Sequence, residues 1–269
     1  MTPFQAVFLA LVQAATEFLP VSSSGHLILI PRLLGWRDQG LEFDIATNTG
    51  TLLAVLAYFR RDLRRILHGW LASERGGGPG AGEPDARLGW ALVWGTVPAG
   101  IVGLLAKDWI STYGRSPQLI ATTAIVYGLL LGVADRLGAQ RAGLAAIGRR
   151  EGLLIGCAQA LALVPGTSRS GVTMTAALGL GLDRSSAARF SFLLSVPIGL
   201  LVGLKQAVDF ARGELAGLDG SIVLIGIAVS ALAGYAVIAA LLAWVRTRPL
   251  LIFALDRLAL GGFLFYYFS

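Results

Sequence analysis

The sequence predicts an all-α integral membrane protein built as an inverted repeat, with two re-entrant helical hairpins and about six transmembrane helices. Three observations carry that prediction. The 269 residues are 55% hydrophobic and only 14% charged, with a mean hydropathy of +0.70, where a soluble domain carries roughly 25% charge. Two apolar stretches are broken in the same way, each by a proline followed by a run of hydroxyl residues and glycine. Lys and Arg are distributed unevenly between alternate connections.

The first apolar stretch, residues 4–19, is too short to span a bilayer comfortably and is cut at Pro20 and Gly25 before a second short piece, 27–34. A broken helix pair of this kind is tolerated at membrane depth only where its tip is buried in protein or lines a cavity. The stretch lacks a basic leader and holds Gln13 and Glu17 where a signal peptide would be apolar, so it is expected to remain in the mature chain. Spans are expected at about 43–59, 88–106 and 119–134. Between the first two lie Arg60, Arg61, Arg64 and Arg65 and a flexible linker at Gly76 to Gly82. A basic connection with Arg136, Arg141, Arg149 and Arg150 closes the first half.

From Glu151 the pattern starts again. A short helix to Val164 is followed by a break from Pro165 to Gly171, a short piece to Leu182, and spans at about 190–204, 222–245 and 250–268. Gln13 answers to Gln159, Leu19 to Gly25 answers to Val164 to Ser170, and Phe43-Asp44 answers to Phe190-Ser191. The chain is therefore expected to be one polytopic domain over 1–269, with repeat one at about 1–135 and repeat two at about 150–269. Placing the loop after Phe59 in the cytoplasm puts fourteen Lys and Arg on that side and six on the other, including Arg32, Arg37, Lys107, Arg115, Lys205 and Arg212. The hairpins then enter from opposite faces and their tips meet near the midplane. The net charge of +6 is explained by topology rather than by nucleic-acid binding. With one cysteine, Cys157, there is no intrachain disulfide and no thiolate metal site.

Two polar islands carry the chemistry, because ionisable residues at bilayer depth are costly unless they face a partner or a substrate. Gln13 and Glu17 share one helix face and suit a divalent cation or a partner histidine. Ser22, Ser23, Ser24, Gly25 and His26 follow the break; a helix starting there offers free N–H groups to an anion, and Ser23 and His26 lie one turn apart. An imidazole beside a hydroxyl activates a nucleophile, although the same serines would also serve as helix caps, and the spacing leaves open which of them attacks. In the second island, Ser168, Arg169, Ser170 and Thr173 repeat this logic with a fixed positive charge whose planar fork matches phosphate oxygens. A salt bridge from Arg169 to Glu17 is the competing use. Asp44 suits capping as well as catalysis. Thr47, Asn48 and Thr49 are candidates for the cavity wall or for gluing helices together. Asp256 and Arg257 within the last span read as structural, either pairing or snorkelling, and His68 as a solvated side chain. Trp90, Trp94, Trp109 and the run Phe265 to Phe268 suit interfacial belts.

These residues resemble the undecaprenyl-diphosphate phosphatase family, also called the bacitracin-resistance protein family. The likeness rests on Gln13 and Glu17, on the run Phe18 to His26, on Pro165 to Thr173 and on Ala188 to Leu194, and it extends from about residue 4 to 268. It implies a bacterial inner-membrane phosphatase, active at the outer face, that removes the terminal phosphate of undecaprenyl diphosphate to recycle the peptidoglycan lipid carrier, with Mg2+ or Ca2+ as cofactor. Carried onto this chain, it implies catalytic roles for Glu17, Ser23, His26 and Arg169. It places Ser168, Ser170 and Thr173 at family site positions, expected as substrate contacts together with Gln13, Ser22, Ser24 and Gly25 of the first island, and Glu17 and Gln13 are the candidate metal ligands. Gln13 stands where many members have Glu, which leaves Glu17 as the firmer ligand. Ser23 is the expected nucleophile, assisted by His26 and Glu17; direct attack by water or by His26 is the alternative. The partners expected are the polyprenyl diphosphate and the bilayer, with a second copy of the chain as a candidate homodimer partner. A secondary transporter or lipid flippase is the competing class, since it shares the inverted repeat. The phosphatidic-acid type of phosphatase needs a histidine downstream of its Ser-Arg element, and the only two histidines, His26 and His68, both precede Arg169.

Overall fold

A computed structural model of the chain describes residues 1–74, 84–105, 116–212 and 219–268. The expected linker at Gly76 to Gly82, and Lys107, Trp109 and Arg115, lie outside the described residues. Within them the secondary structure is helical, as a bilayer demands when every backbone polar group must be paired within the protein. A first hairpin is formed by α1 (Pro3–Phe18) and α2 (Ser23–Leu33), and α3 (Leu41–Tyr58), α4 (Arg60–Glu74), α5 (Pro84–Leu105) and α6 (Pro117–Leu137) follow. The second half has the hairpin α7 (Arg149–Leu161) and α8 (Arg169–Gly179), then α9 (Arg184–Ala211), α10 (Gly220–Trp244) and α11 (Leu251–Phe268).

Among the described residues five helices, α5, α6, α9, α10 and α11, are long and apolar enough to cross a membrane, and the protein is a multi-pass membrane protein. The remaining expected span, α3, does not reach that composition. Its 18 residues begin Leu-Glu-Phe-Asp and carry Thr47, Asn48 and Thr49 at mid-length. That polarity has a destination, since Asp44 and Asn48 line a cavity. A second difference is α4, where the sequence suggested only a basic connection. Phe59 and Ile66 join the core on one side of this segment, and its arginines take the other faces. Asp62 accepts from Arg65 at 3.2 Å and from Arg189 of α9 at 3.0 Å, and Asp85 of α5 accepts from Arg65 at 2.8 Å. Those tertiary partners stabilise a helix whose own apolar stripe is thin.

The first arm of each hairpin packs on a span of the opposite half, α1 on α10 and α7 on α5, while α3 lies on α10 and α6 on α11. Lipid tails are as apolar as leucine, so these contacts depend on close backbone approach at small residues. Gly152 and Gly156 of α7 lie against the backbone of Ala91 and Gly95, and Gly50 of α3 against Ile227 to Ala231, with no room for a Cβ at any of the three glycines. Ser230 of α10 adds a hydrogen bond to the Ala10 carbonyl at 3.3 Å. At the centre, Phe192 meets Phe18 in a T-shaped contact and Phe59 at a tilted angle, beside Phe190, Leu193 and Leu194 of α9. This block holds the two hairpin tips against each other.

Candidate active site

Each tip is shaped by its own sequence. Pro20 disfavours helical geometry at Leu19, whose ψ is 142°, and the chain bends tightly before Ser22, the Val21 N–H donating to the Leu19 carbonyl at 2.7 Å. Ser22 caps α2, accepting from the Gly25 N–H at 3.2 Å. In the second tip, Gly166 has φ +86° and Ser168 has φ +65°. Ile120 and Thr123 occupy the space a side chain at position 166 would need, so only glycine fits the turn. Ser168 holds an uncommon conformation for a residue with a Cβ, one that costs of order 1–3 kcal/mol. Its hydroxyl compensates by capping α8 through the Gly171 N–H at 3.2 Å.

The tips are stitched together. The Gly166 N–H donates to Ser24 Oγ at 3.1 Å, Ser170 Oγ donates to the Leu19 carbonyl at 3.0 Å, and Arg169 Nη2 donates to Glu17 Oε1 at 2.7 Å. The competing use of Arg169 is thus realised in this structure, with a further bond from Nη1 to the Ser191 carbonyl at 3.3 Å. Behind the second tip, the fully buried Arg257 of α11 donates to the carbonyls of Thr167 at 2.7 Å, Gly166 at 3.0 Å and Ala124 at 3.3 Å. An intramembrane arginine was visible in the sequence as an anomaly, but its carbonyl partners lie about 90 and 133 residues away and no local pattern names them.

A cavity of about 670 Å3 opens where the tips meet. Gln13, Glu17, Ser23, Ser24, Ser168 and Arg169 line it. The N-termini of α2 and α8 both face it, so two sets of free N–H groups and two positive helix ends converge on one space. The wall hydroxyls are not equivalent. Ser24 is held by Gly166, Ser168 by Gly171, and Thr16 by the Val12 carbonyl. Ser23 alone among these four has no hydrogen-bond partner among the described residues. Gln13 Nε2 donates to Asn48 Oδ1 at 2.8 Å and approaches Glu17 Oε2 at 3.4 Å, while its own Oε1 is buried without a partner among the described residues. Asp38, Gln39, Asp44 and Arg32 continue the wall towards the α2–α3 connection, a rim that the sequence motifs did not point to beyond Asp44.

Five of the expected site residues, Ser22, Gly25, His26, Ser170 and Thr173, lie outside the cavity lining. Ser22 and Gly25 are buried behind Ser23, with Gly25 tight against Leu260 of α11. Ser170 and Thr173 are buried, and Thr173 shares a 2.7 Å hydrogen bond with Ser191. His26 is turned away from Ser23: Nδ1 is 2.8 Å from the Ser22 carbonyl, and Nε2 faces Asp256 Oδ1 at 3.9 Å. Asp256 and Arg257 therefore serve different neighbours rather than each other, Asp256 meeting the first hairpin and Arg257 the second.

The donor set suits a hard cation only in combination with a ligand. Among the described residues there is no cluster of three or more His, Cys, Asp or Glu able to hold an ion. Glu17 supplies one carboxylate and the orphaned Gln13 Oε1 a second oxygen, which matches an ion such as Mg2+ that takes one or two protein oxygens and completes its shell with phosphates and water.

Comparison with known proteins places the chain in a family. The family described as bacitracin resistance protein BacA matches residues 6–263. The chain is 49% identical over 268 residues to a protein of Magnetococcus marinus named undecaprenyl-diphosphatase, covering 98% of each chain. It is 47% identical over 261 residues to undecaprenyl-diphosphatase 1 of Pseudoalteromonas translucida, covering 97% of each. A protein of Teredinibacter turnerae, also named undecaprenyl-diphosphatase, is 48% identical over 265 residues, 98% of this chain and 99% of its own. Matched from the first hairpin through α11, this chain belongs to the bacitracin resistance protein BacA family.

Proposed function

We propose that the chain hydrolyses undecaprenyl diphosphate to undecaprenyl phosphate and inorganic phosphate, returning the lipid carrier to cell-wall synthesis and thereby contributing to bacitracin resistance. The full-length likeness to three proteins named for that activity supports the reaction. The observation that carries the mechanism is the convergence of two helix N-termini, Arg169 and the unpartnered Ser23 hydroxyl on one cavity.

Phosphoryl transfer asks for an in-line nucleophile and for charge neutralisation on the equatorial oxygens. The diphosphate enters with its terminal phosphate between the α2 and α8 N-termini and competes with Glu17 for the Arg169 fork. Arg169 then grips phosphate oxygens, and the released Glu17 carboxylate becomes free to take a proton. Ser23 Oγ attacks the terminal phosphorus as Glu17 accepts the hydroxyl proton; the bond to the bridging oxygen breaks and undecaprenyl phosphate departs. Water then attacks the phosphoserine, giving inorganic phosphate and restoring the Ser23 hydroxyl. His26 assists proton transfer through Nε2 once its ring turns from Asp256 towards Ser23, one helical turn away. Gln13 and the Glu17 oxygen that does not take the proton would hold a divalent cation such as Mg2+ or Ca2+, which would supply positive charge near the transferring phosphoryl group. The site faces the outer side of the bacterial inner membrane, a placement supported by the Lys and Arg excess on the opposite connections.

Purified protein in detergent with magnesium is expected to release phosphate from undecaprenyl diphosphate, and Ser23→Ala to lose at least about three orders of magnitude of kcat, comparable to removal of other catalytic nucleophiles. Activity within tenfold of wild type in Ser23→Ala would remove serine as the nucleophile. A phosphate analogue found covalently on His26 would do the same.

A further inference from the structure

A second cavity, about 220 Å3, adjoins the first across the Glu17–Arg169 ion pair and lies between α3 and α9. It shares Glu17, Asn48 and Arg169 with the larger one, yet its walls differ in kind. Thr49, Thr51 and Ser195 direct their hydroxyls into the carbonyls of Ile45, Asn48 and Phe192 on their own helices, at 2.9, 2.9 and 2.6 Å. With those groups satisfied, the crevice beyond the ion pair is lined mainly by hydrocarbon, from Leu52, Val55, Ile198 and Val202, with Gln206 the polar exception. The larger cavity instead keeps an unpartnered hydroxyl and an orphaned amide oxygen.

The crevice owes its room to two glycines of α9. A side chain at Gly199 would touch Leu52 at 3.0 Å, whereas one at Gly203 would meet nothing within 4 Å. Its outer edge is continuous with apolar surface turned to the bilayer, for Val202, Leu201 and Leu53 are 47%, 53% and 46% exposed. A lipid whose phosphates are held at the ion pair has to lead its chain sideways into the membrane, and this route is mostly apolar, with Gln206 its one polar side chain beyond Ser195 along α9.

We propose that the α3–α9 crevice binds the first isoprene units of the polyprenyl chain while the diphosphate occupies the larger cavity, the two meeting at Arg169. This assignment rests on the hydrolase reading above. At 220 Å3 the crevice is smaller than the roughly 300–1,000 Å3 of sites that enclose a whole small molecule. It therefore takes only the proximal chain, and the remainder lies in the bilayer.

Gly203→Phe tests the assignment, because the new ring enters open space within the crevice. Gly203 lies about 12 Å along α9 from Ser195, eight residues at 1.5 Å each, beyond the reach of a one-isoprene substrate. The variant is expected to lose kcat/KM for undecaprenyl diphosphate at least tenfold more than kcat/KM for isopentenyl diphosphate. Gly262→Phe, which also enters open space but on α11, is expected to change neither more than twofold. Equal losses on both substrates in Gly203→Phe, or no loss on either, would overturn the proposal. A diazirine-bearing polyprenyl phosphate gives a readout independent of turnover: it is expected to label 196–206, with label displaced by unlabelled undecaprenyl phosphate. Labelling there that the competitor does not displace would mark ordinary bilayer lipid and refute the site. Displaceable labelling by a wild-type protein that hydrolyses neither substrate would sink the hydrolase reading and leave the chain-binding crevice standing.

Discussion

Replacing Arg257 with Met tests whether the second hairpin tip is held from behind. Methionine keeps much of the stem and removes the guanidinium, whose Nη2 is the one donor among the described residues to the Gly166 and Thr167 carbonyls. The Ala124 carbonyl lies inside α6 and keeps its helical bond, so two buried acceptors are orphaned rather than three. At about 1–3 kcal/mol for each unsatisfied group, the native position of the tip loses about 2–6 kcal/mol. With 1.36 kcal/mol per factor of ten, even the low end corresponds to a fall of about 30-fold in the tip geometry that presents Arg169. Global stability is the weaker readout, since removing a buried charge also recovers a desolvation cost of several kcal/mol, and the unfolding midpoint can move either way. The decisive assay is steady-state phosphate release in detergent, where kcat/KM should fall at least 30-fold. Arg257→Lys should recover only part of it, because a single ammonium does not reproduce the planar fork that spans α6 and the tip. A kcat/KM within threefold of wild type in Arg257→Met would refute the reasoning.

Arg169→Ala should lower kcat/KM for the diphosphate at least tenfold, the equivalent of one charge-assisted contact of about 1.5–3 kcal/mol; a change under threefold would dismiss the phosphate clamp. Chelation of divalent ions should abolish phosphate release and added magnesium restore it, with Glu17→Gln requiring a higher magnesium concentration for half-maximal rate. An activity indifferent to chelator would eliminate the cation. The third expectation concerns pH. Asp219 caps α10, and hydrogen bonds from the Ser221 backbone and hydroxyl hold its carboxyl below its ordinary value of 3.8. A depressed native pKa means the cap contributes fully above 3.8 and is lost as pH falls through the lower native value. Asp219→Asn, which keeps an acceptor and does not titrate, should flatten the acid limb of the thermal midpoint between about pH 5 and pH 2; a limb as steep as wild type would show that the cap is not its source.

Much of the architecture follows from local chemistry and is legible along the chain. Hydropathy marks the spans, Pro20 and Pro165 mark the breaks, and a carboxylate and an arginine placed in apolar surroundings announce that they must meet something. Glu17 and Arg169 do meet, 152 residues apart, at 2.7 Å. What composition and spacing left undecided is which faces the partners would be. Three consecutive serines look alike in sequence, but Ser22 is committed to capping and Ser24 to the opposite tip, and Ser23 is left free because the second hairpin packs where it does. The same holds for His26, whose turn towards Asp256 depends on α11 lying beside α2, and for Arg257, whose acceptors come from a different helix and a loop. Helix α4 and the polar half of α3 were obscured for a related reason, since their stability rests on Asp85, Arg189 and the cavity rather than on their own hydropathy. The membrane fold, the two breaks and the opposed charges follow from local sequence, because periodicity, proline and burial cost act within a few turns of chain. Only the tertiary structure decided which hydroxyl stays free, what holds the tip and where an apolar crevice opens, because those depend on contacts between segments roughly a hundred residues or more apart, which local pattern does not encode.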